Sequence, residues 1–215
     1  MTKKDQLFGI VAGLLIGLLA LPVLRAAKPA LYAKHSLLIF LFFLVGTPVG
    51  LWIASLIARK ARVVWQIAKF GVIGVLNTLV DLGVLALLLF ILTHYYGIAS
   101  TARLFAIGAT IVTVYAVCKS ISFVVAVANS YYWNKYWTFE SGAAQKTRSQ
   151  FIQFFVVSII GFVINVVTAS YVFQSIHPIG GMSAEQWALM GAATGSIAGL
   201  AWNFIGYKFI VFKNK

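Results

Sequence analysis

The sequence predicts an all-α polytopic membrane helix bundle, with a four-helix core of two tandem two-helix repeats preceded by two extra N-terminal transmembrane helices. Three observations carry this. The first is composition: of 215 residues 61% are hydrophobic and only 10% charged, and the mean hydropathy is +0.95. Soluble domains carry about 25% charged residues. A soluble core of this size has no room for so much apolar surface, whereas lipid solvates it. The second is a set of six apolar runs, at 7–24, 37–58, 70–92, 104–128, 151–173 and 188–211. Each approaches the ~20 residues that a helix needs to cross a bilayer. They are continuous rather than alternating, which argues for helices over a barrel. The third is an internal repetition in the second half of the chain.

The first run follows Lys3 and Lys4 and precedes Ala26 and Ala27. It exceeds the roughly 7–15 apolar residues of a signal-peptide core, so the reading is a retained helix. The first 60 residues hold Pro22, Pro29 and Pro48, and no charge lies inside their two runs. Gly9, Gly13 and Gly17 form one small-residue ridge, and Gly46 and Gly50 a second. Such ridges let helices approach closely, although glycine is common in membrane helices for other reasons too. A basic segment at 59–69 then divides a two-helix extension, 1–60, from a second domain, 61–215.

Within that second domain, residues 70–139 and 154–212 read as two copies of one unit. Gly74, Asn77 and Asp81 in the first copy keep the spacing of Ser158, Gly161 and Asn165 in the second. At the ends, Lys135 and Phe139 match Lys208 and Phe212. Each copy holds two helices, so the chain returns to the same side and the copies share an orientation. A pseudo-two-fold axis along the membrane normal is expected, with four helices around a seam. Cytoplasmic N- and C-termini give 12 basic residues inside against 4 outside, the orientation favoured by the positive-inside rule in a cell membrane.

Asp81 lies near the middle of the third run, at a cost of ~2.5–3.5 kcal/mol on insertion scales. Asn77 stands one turn earlier on the same face. The fourth run carries Lys119, with Ser122 and Asn129 following on its face. Antiparallel packing would bring Asp81 and Lys119 to similar depth. The expectation is a buried ion pair, either lining a polar pathway or fixing helix register. The second copy continues the polar stripe with Ser158, Asn165 and Thr168, and the last run adds Gly191, Gly195, Gly199 and Asn203. The glycines read first as packing positions. Buried asparagine amides must find partners, which makes Asn165 and Asn203 pathway candidates. The aromatic block at 131–139 contains Asn134, Lys135 and Trp137, and Lys208 holds the equivalent place in the second copy. By composition alone these four residues fit an anchoring belt with snorkelling lysines; the repetition of Lys-x-x-x-Phe in both copies raises the reading of a headgroup or phosphate site.

Other classes fit less well. The net charge of +13 is spread between apolar runs rather than gathered on one surface, which is the pattern of lipid contact and not of nucleic-acid binding. No phosphate-binding loop of the ATPase kind is present. The acidic residues are Asp5, Asp81, Glu140 and Glu185, and no two form a carboxylate pair by sequence, so no catalytic residue is assigned. Cys118 is alone inside an apolar run, and His35, His94 and His177 lack ligand spacing, so neither a metal nor a cofactor is expected.

The blocks at 69–81 and 129–139, with the closing 203–212, resemble the motifs of the GtrA-like family over about 64–213. That resemblance implies a four-helix membrane protein with both ends cytoplasmic. It further implies a role in flipping undecaprenyl- or dolichyl-phosphate-linked sugars, or in assisting a partner glycosyltransferase that makes them. Asn77, Asp81, Asn134, Lys135 and Lys208 are the motif positions carried over by resemblance. The two extra helices depart from the family pattern and leave partner choice and oligomeric state, a homo-oligomer included, open. The leading expectation is a flippase or flippase subunit for polyprenyl-phosphate sugars in cell-surface polysaccharide or glycan synthesis, running downhill or coupled to product removal. The alternatives are a non-transporting scaffold that recruits a glycosyltransferase, and a small proton-coupled exporter using Asp81.

Overall fold

Thr2 opens the first helix. Its hydroxyl accepts from the Asp5 N–H, and the Asp5 carboxylate accepts from the Thr2 N–H, a reciprocal capping box. The helix that follows, α1, spans Lys3–Ala27. Pro29 then occupies the first turn of α2, Pro29–Ile57, where its missing N–H costs nothing. This computed structural model describes residues 1–58, 62–107, 110–140, 147–181 and 184–213. Arg59, Lys60, Lys146 and Lys215, which enter the charge balance, lie outside the described residues.

The two helices form a tight antiparallel hairpin, and the first glycine ridge is what closes it. A methyl group added at Gly13 would sit 2.6 Å from the Phe43 carbonyl oxygen. One added at Gly9 or Gly17 would come within 2.9 Å of Leu51 or Phe40. The second ridge has no such role: nothing outside α2 crowds Gly46, and nothing crowds Gly50. Those two glycines face away from the contact, so their spacing alone misleads.

Helix α3 spans Arg62–Tyr96 and ends at Gly97, whose φ of +65° suits a residue without Cβ. The fourth run departs from expectation here. Its first part is a β-hairpin, β1 at Arg103–Ile107 pairing antiparallel with β2 at Thr110–Thr113. Only from Val114 does helix α4, Val114–Trp133, begin, with the Thr113 hydroxyl as its cap. The β-branched sequence Thr110-Ile-Val-Thr113 suits a pleated strand better than a helix. Hydropathy alone does not separate the two over a short apolar run. Two main-chain bonds, Val114 to Ala102 and Tyr115 to Ser100, fasten the hairpin base to the start of α4.

Helix α4 closes in a π turn at Asn134–Thr138. Helix α5 spans Thr147–Ser175, and α6, Ala184–Gly206, closes in a second π turn at Tyr207–Val211. Both π turns carry a lysine, Lys135 and Lys208. Among the described residues α1 to α5 are long and apolar enough to cross a membrane. The 23 residues of α6 measure about 35 Å, also enough for a ~30 Å hydrocarbon core. Large apolar side chains such as Leu37, Phe42 and Ile57 point outward, two thirds exposed, as a lipid-facing surface requires.

Packing divides the chain into two compact units, Met1–Thr138 and Phe139–Lys215. In the first, α1 lies on α3. Ala12, Ile16, Leu51, Ile73, Leu76 and Trp137 form one core cluster, and Phe8 packs edge-on to Trp133. The two-helix extension therefore shares a core with α3 and the end of α4, although the sequence alone divides the chain at residue 60. In the second unit α5 and α6 approach closely at glycines. A methyl group at Gly199 would lie 2.8 Å from the Gly161 carbonyl, and one at Gly206 2.5 Å from Val157. Gly195 is closed in the same way by the Asn165 carbonyl. Aromatic rings cap this unit: Phe154 stacks on Tyr207 at 3.9 Å and Phe139 on Phe212 at 5.2 Å.

Candidate functional site

Helices α3 and α4 run antiparallel, as two contacts prove. Asp81 meets Lys119 and Ser122, and nearer the start of α3 Lys69 meets Trp137. The twelve residues between Lys69 and Asp81 span about 18 Å of helix. Polar side chains occur at separate levels of that stretch, Lys69, Asn77, Thr78 and Asp81 on α3 facing a chain that carries Ser122, Asn129, Ser130, Asn134 and Lys135.

At one end the Asp81 carboxylate is bonded through one oxygen to the Lys119 ammonium and through the other to the Ser122 hydroxyl at 2.6 Å. Ser122 is fully buried. The ion pair itself is less enclosed than expected, with side chains 21% exposed for Asp81 and 40% for Lys119. The hairpin explains this. Because α4 starts at Val114, Lys119 stands in its second turn, near a helix end and not at mid-helix.

One level further along lie Asn77 on α3 and Asn129 on α4. Asn77 Oδ1 and Asn129 Nδ2 are enclosed and have no hydrogen-bond partner among the described residues. The same holds for Asn134 Oδ1 and Thr138 Oγ1 in the π turn. An enclosed amide or hydroxyl costs ~1–3 kcal/mol unless water or a bound polar group takes the bond. Two of these four atoms lie on α3 and α4, and two in the π turn that ends α4.

The aromatic block does not lie open at the surface. Asn134, Lys135 and Trp137 are all buried, and Tyr132 and Tyr136 form the exposed side. The Asn134 amide N–H donates to the Ser130 carbonyl at 2.8 Å. The Lys135 ammonium donates to the Tyr131 hydroxyl at 3.3 Å and lies over the Tyr131 and Tyr136 rings. A phosphate would reach Lys135 only by rearranging these rings. Lys208, half-buried, lies over Phe204 and Phe209 at 5.7 and 5.4 Å.

In the second unit Asn165 and Asn203 both lie in the α5–α6 contact. Asn165 is pressed by Gly199, and the Asn203 amide fills the space opposite Gly161. Asn203 Oδ1 is enclosed without a partner among the described residues. Ser158 donates to the Phe154 carbonyl at 2.8 Å and bonds the Tyr207 hydroxyl at 2.7 Å, so its hydroxyl is already engaged.

Sequence reasoning missed one cluster altogether. Asp5 Oδ1 accepts from the Lys69 ammonium at 2.8 Å and from the Trp137 indole N–H at 3.1 Å. Lys69 also donates to the Trp137 carbonyl at 3.0 Å, and Lys4 to the Tyr136 carbonyl at 2.7 Å. Both carbonyls belong to the π turn at the end of α4, the pole of a helix where cations are favoured. The available signal was Asp5 itself, one of only four acidic residues in the chain.

A family model described as GtrA/DPMS, transmembrane domain, matches residues 69–212, about two thirds of the chain. Lys69, Asn77, Asp81, Lys135, Trp137 and Lys208 fall inside the matched segment, and Asp5 falls outside it. No curated protein and no solved structure matches the chain.

Proposed function

The chain belongs to the GtrA/DPMS transmembrane-domain family, and from that membership we propose that it is a flippase, or the membrane subunit of one, for polyprenyl-phosphate-linked sugars. Family membership supports polyprenyl-phosphate sugar handling by a multi-pass membrane protein. The observation that carries the finer reading is the set of enclosed polar atoms without a hydrogen-bond partner among the described residues, at Asn77 on α3, Asn129 on α4, and Asn134 and Thr138 in the π turn that ends α4. A sugar presents many hydroxyls, and each needs a donor or acceptor to replace water as it crosses the bilayer. Amides and hydroxyls offer both. A fully apolar helix pair would reject such a cargo.

In this reading Asp81, Lys119 and Ser122 hold the sugar head beside Asn77 and Asn129, with Asn165 and Asn203 as the corresponding groups of the second copy. Asn134, Lys135 and Trp137 in the first unit, and separately Lys208 in the second, are the candidates for the phosphate, and the polyprenyl tail stays in lipid. The protein resides in the cell membrane with both termini cytoplasmic, and the sugar lipid comes from a polyprenyl-phosphate glycosyltransferase. No covalent step is assigned to this chain.

The test is a proteoliposome assay with a labelled polyprenyl-phosphate sugar whose inner- and outer-leaflet pools are counted separately. Protein-dependent equilibration between leaflets is expected without nucleotide. No acceleration over empty liposomes would leave a scaffold role. Movement of other solutes tied to a proton gradient would leave an exporter.

A further inference from the structure

The Asp5 cluster joins the segment that matches the family to the helix at the start of the chain, which lies outside the match. The two donors, the Lys69 ammonium and the Trp137 indole N–H, belong to the segment that matches the family. The acceptor belongs to the added helix α1. Lys69 is 1% exposed, Trp137 0% and Asp5 3%, so the contact is sealed from solvent. An ammonium and an indole N–H, both aimed at one oxygen, form a hole for an anionic oxygen. Trp65 walls it, with its ring 5.0 Å from the ammonium.

The carboxylate has a second role that does not depend on this hole. Its other oxygen accepts from the Thr2 N–H at 3.1 Å and the Thr2 hydroxyl at 2.7 Å. Asp5 would thus remain a first-turn cap of α1 after leaving Lys69, where a negative charge is favoured by the helix dipole. Removal from the hole therefore does not strand the carboxylate.

We propose that Lys69 and Trp137 form a binding site for a phosphoryl oxygen, and that Asp5 is an in-cis plug which a phosphate must displace. The identity of the phosphate as a polyprenyl-phosphate headgroup rests on the function proposed above; the anion site and its plug do not. Binding opens the contact between α1 and the end of α4.

The experiment measures equilibrium binding to the full chain in detergent, by dialysis against three labelled probes. These are inorganic phosphate, a polyprenyl monophosphate and phosphatidylglycerol. Asp5→Asn keeps the shape and an acceptor but removes the charge, and at least tenfold tighter binding of a phosphoryl probe than in the wild type is expected. Adding Lys69→Met should abolish the gain. Equal binding by wild type and Asp5→Asn, or a gain that survives Lys69→Met, overturns the proposal. If Asp5→Asn fails to fold, the exchanged pair Asp5→Lys/Lys69→Asp retains the ion pair and should bind none of the probes more tightly than the wild type; tighter binding overturns the site.

The probe that gains names the source. Inorganic phosphate alone indicates a soluble anion, polyprenyl phosphate alone the lipid carrier, and all three a general phosphoryl site; each supports the proposal. A binding gain in a protein that moves no sugar lipid across liposomes would sink the flippase reading and leave the anion site standing.

Discussion

Replacing Asp5 by alanine leaves the Lys69 ammonium 1% exposed and without the carboxylate that neutralises it. Breaking a buried pair in this way costs about 3–5 kcal/mol. A clear fall in the unfolding midpoint in detergent is expected, and an unchanged midpoint would mean that the contact contributes nothing to the fold. Asp81→Ala acts on a pair that is 21% and 40% exposed, so a smaller loss of about 1–3 kcal/mol is expected from the same comparison. The two carboxylates were not equally legible. Asp81 stands inside an apolar run, where a charge demands a partner, and Lys119 is the one basic residue inside a neighbouring run. Asp5 stands at the end of a run, where a charge reads as solvated. Its indole partner is 132 positions away in sequence, with no local pattern to announce it.

At the level of the helices, close approach is set by some glycines and not by others of similar spacing. Gly13→Ala and Gly199→Ala each push a methyl group against a main-chain oxygen and should lower stability by about 1–3 kcal/mol. Gly50→Ala meets open space and should be neutral or stabilising by up to ~1 kcal/mol. Thermal midpoints of the three variants check this, and a Gly50 variant worse than the other two would contradict it. Thr113→Ala removes the cap of α4 and should cost about 1 kcal/mol. Hydropathy located the helices well, because in lipid a long apolar run has few other ways to satisfy its backbone. It failed over β1 and β2, where the residues are apolar enough for a span; β-branching marks β2, and β1 carries only Ile107 of that kind. The π turns that bury Asn134, Lys135 and Trp137 left no signal in hydropathy, since one extra residue per turn changes direction and not composition.

For the molecule as a whole, the proposed function explains why a multi-pass bundle encloses polar atoms on α3 and α4 that have no partner among the described residues: a polar cargo pairs with them. A purely structural seam would gain by losing them. Asn77→Leu/Asn129→Leu fills similar volume and removes the enclosed Asn77 Oδ1 and Asn129 Nδ2, which have no partner among the described residues, so little loss of stability is expected. Stability and function should therefore separate in this one variant. The direct measurement is the leaflet-equilibration rate of a polyprenyl-phosphate sugar in proteoliposomes, compared between the wild type and Asn77→Leu/Asn129→Leu at matched protein content. An unfolding midpoint close to that of the wild type, with a rate at least tenfold lower, is the result predicted. A rate equal to that of the wild type would contradict the account.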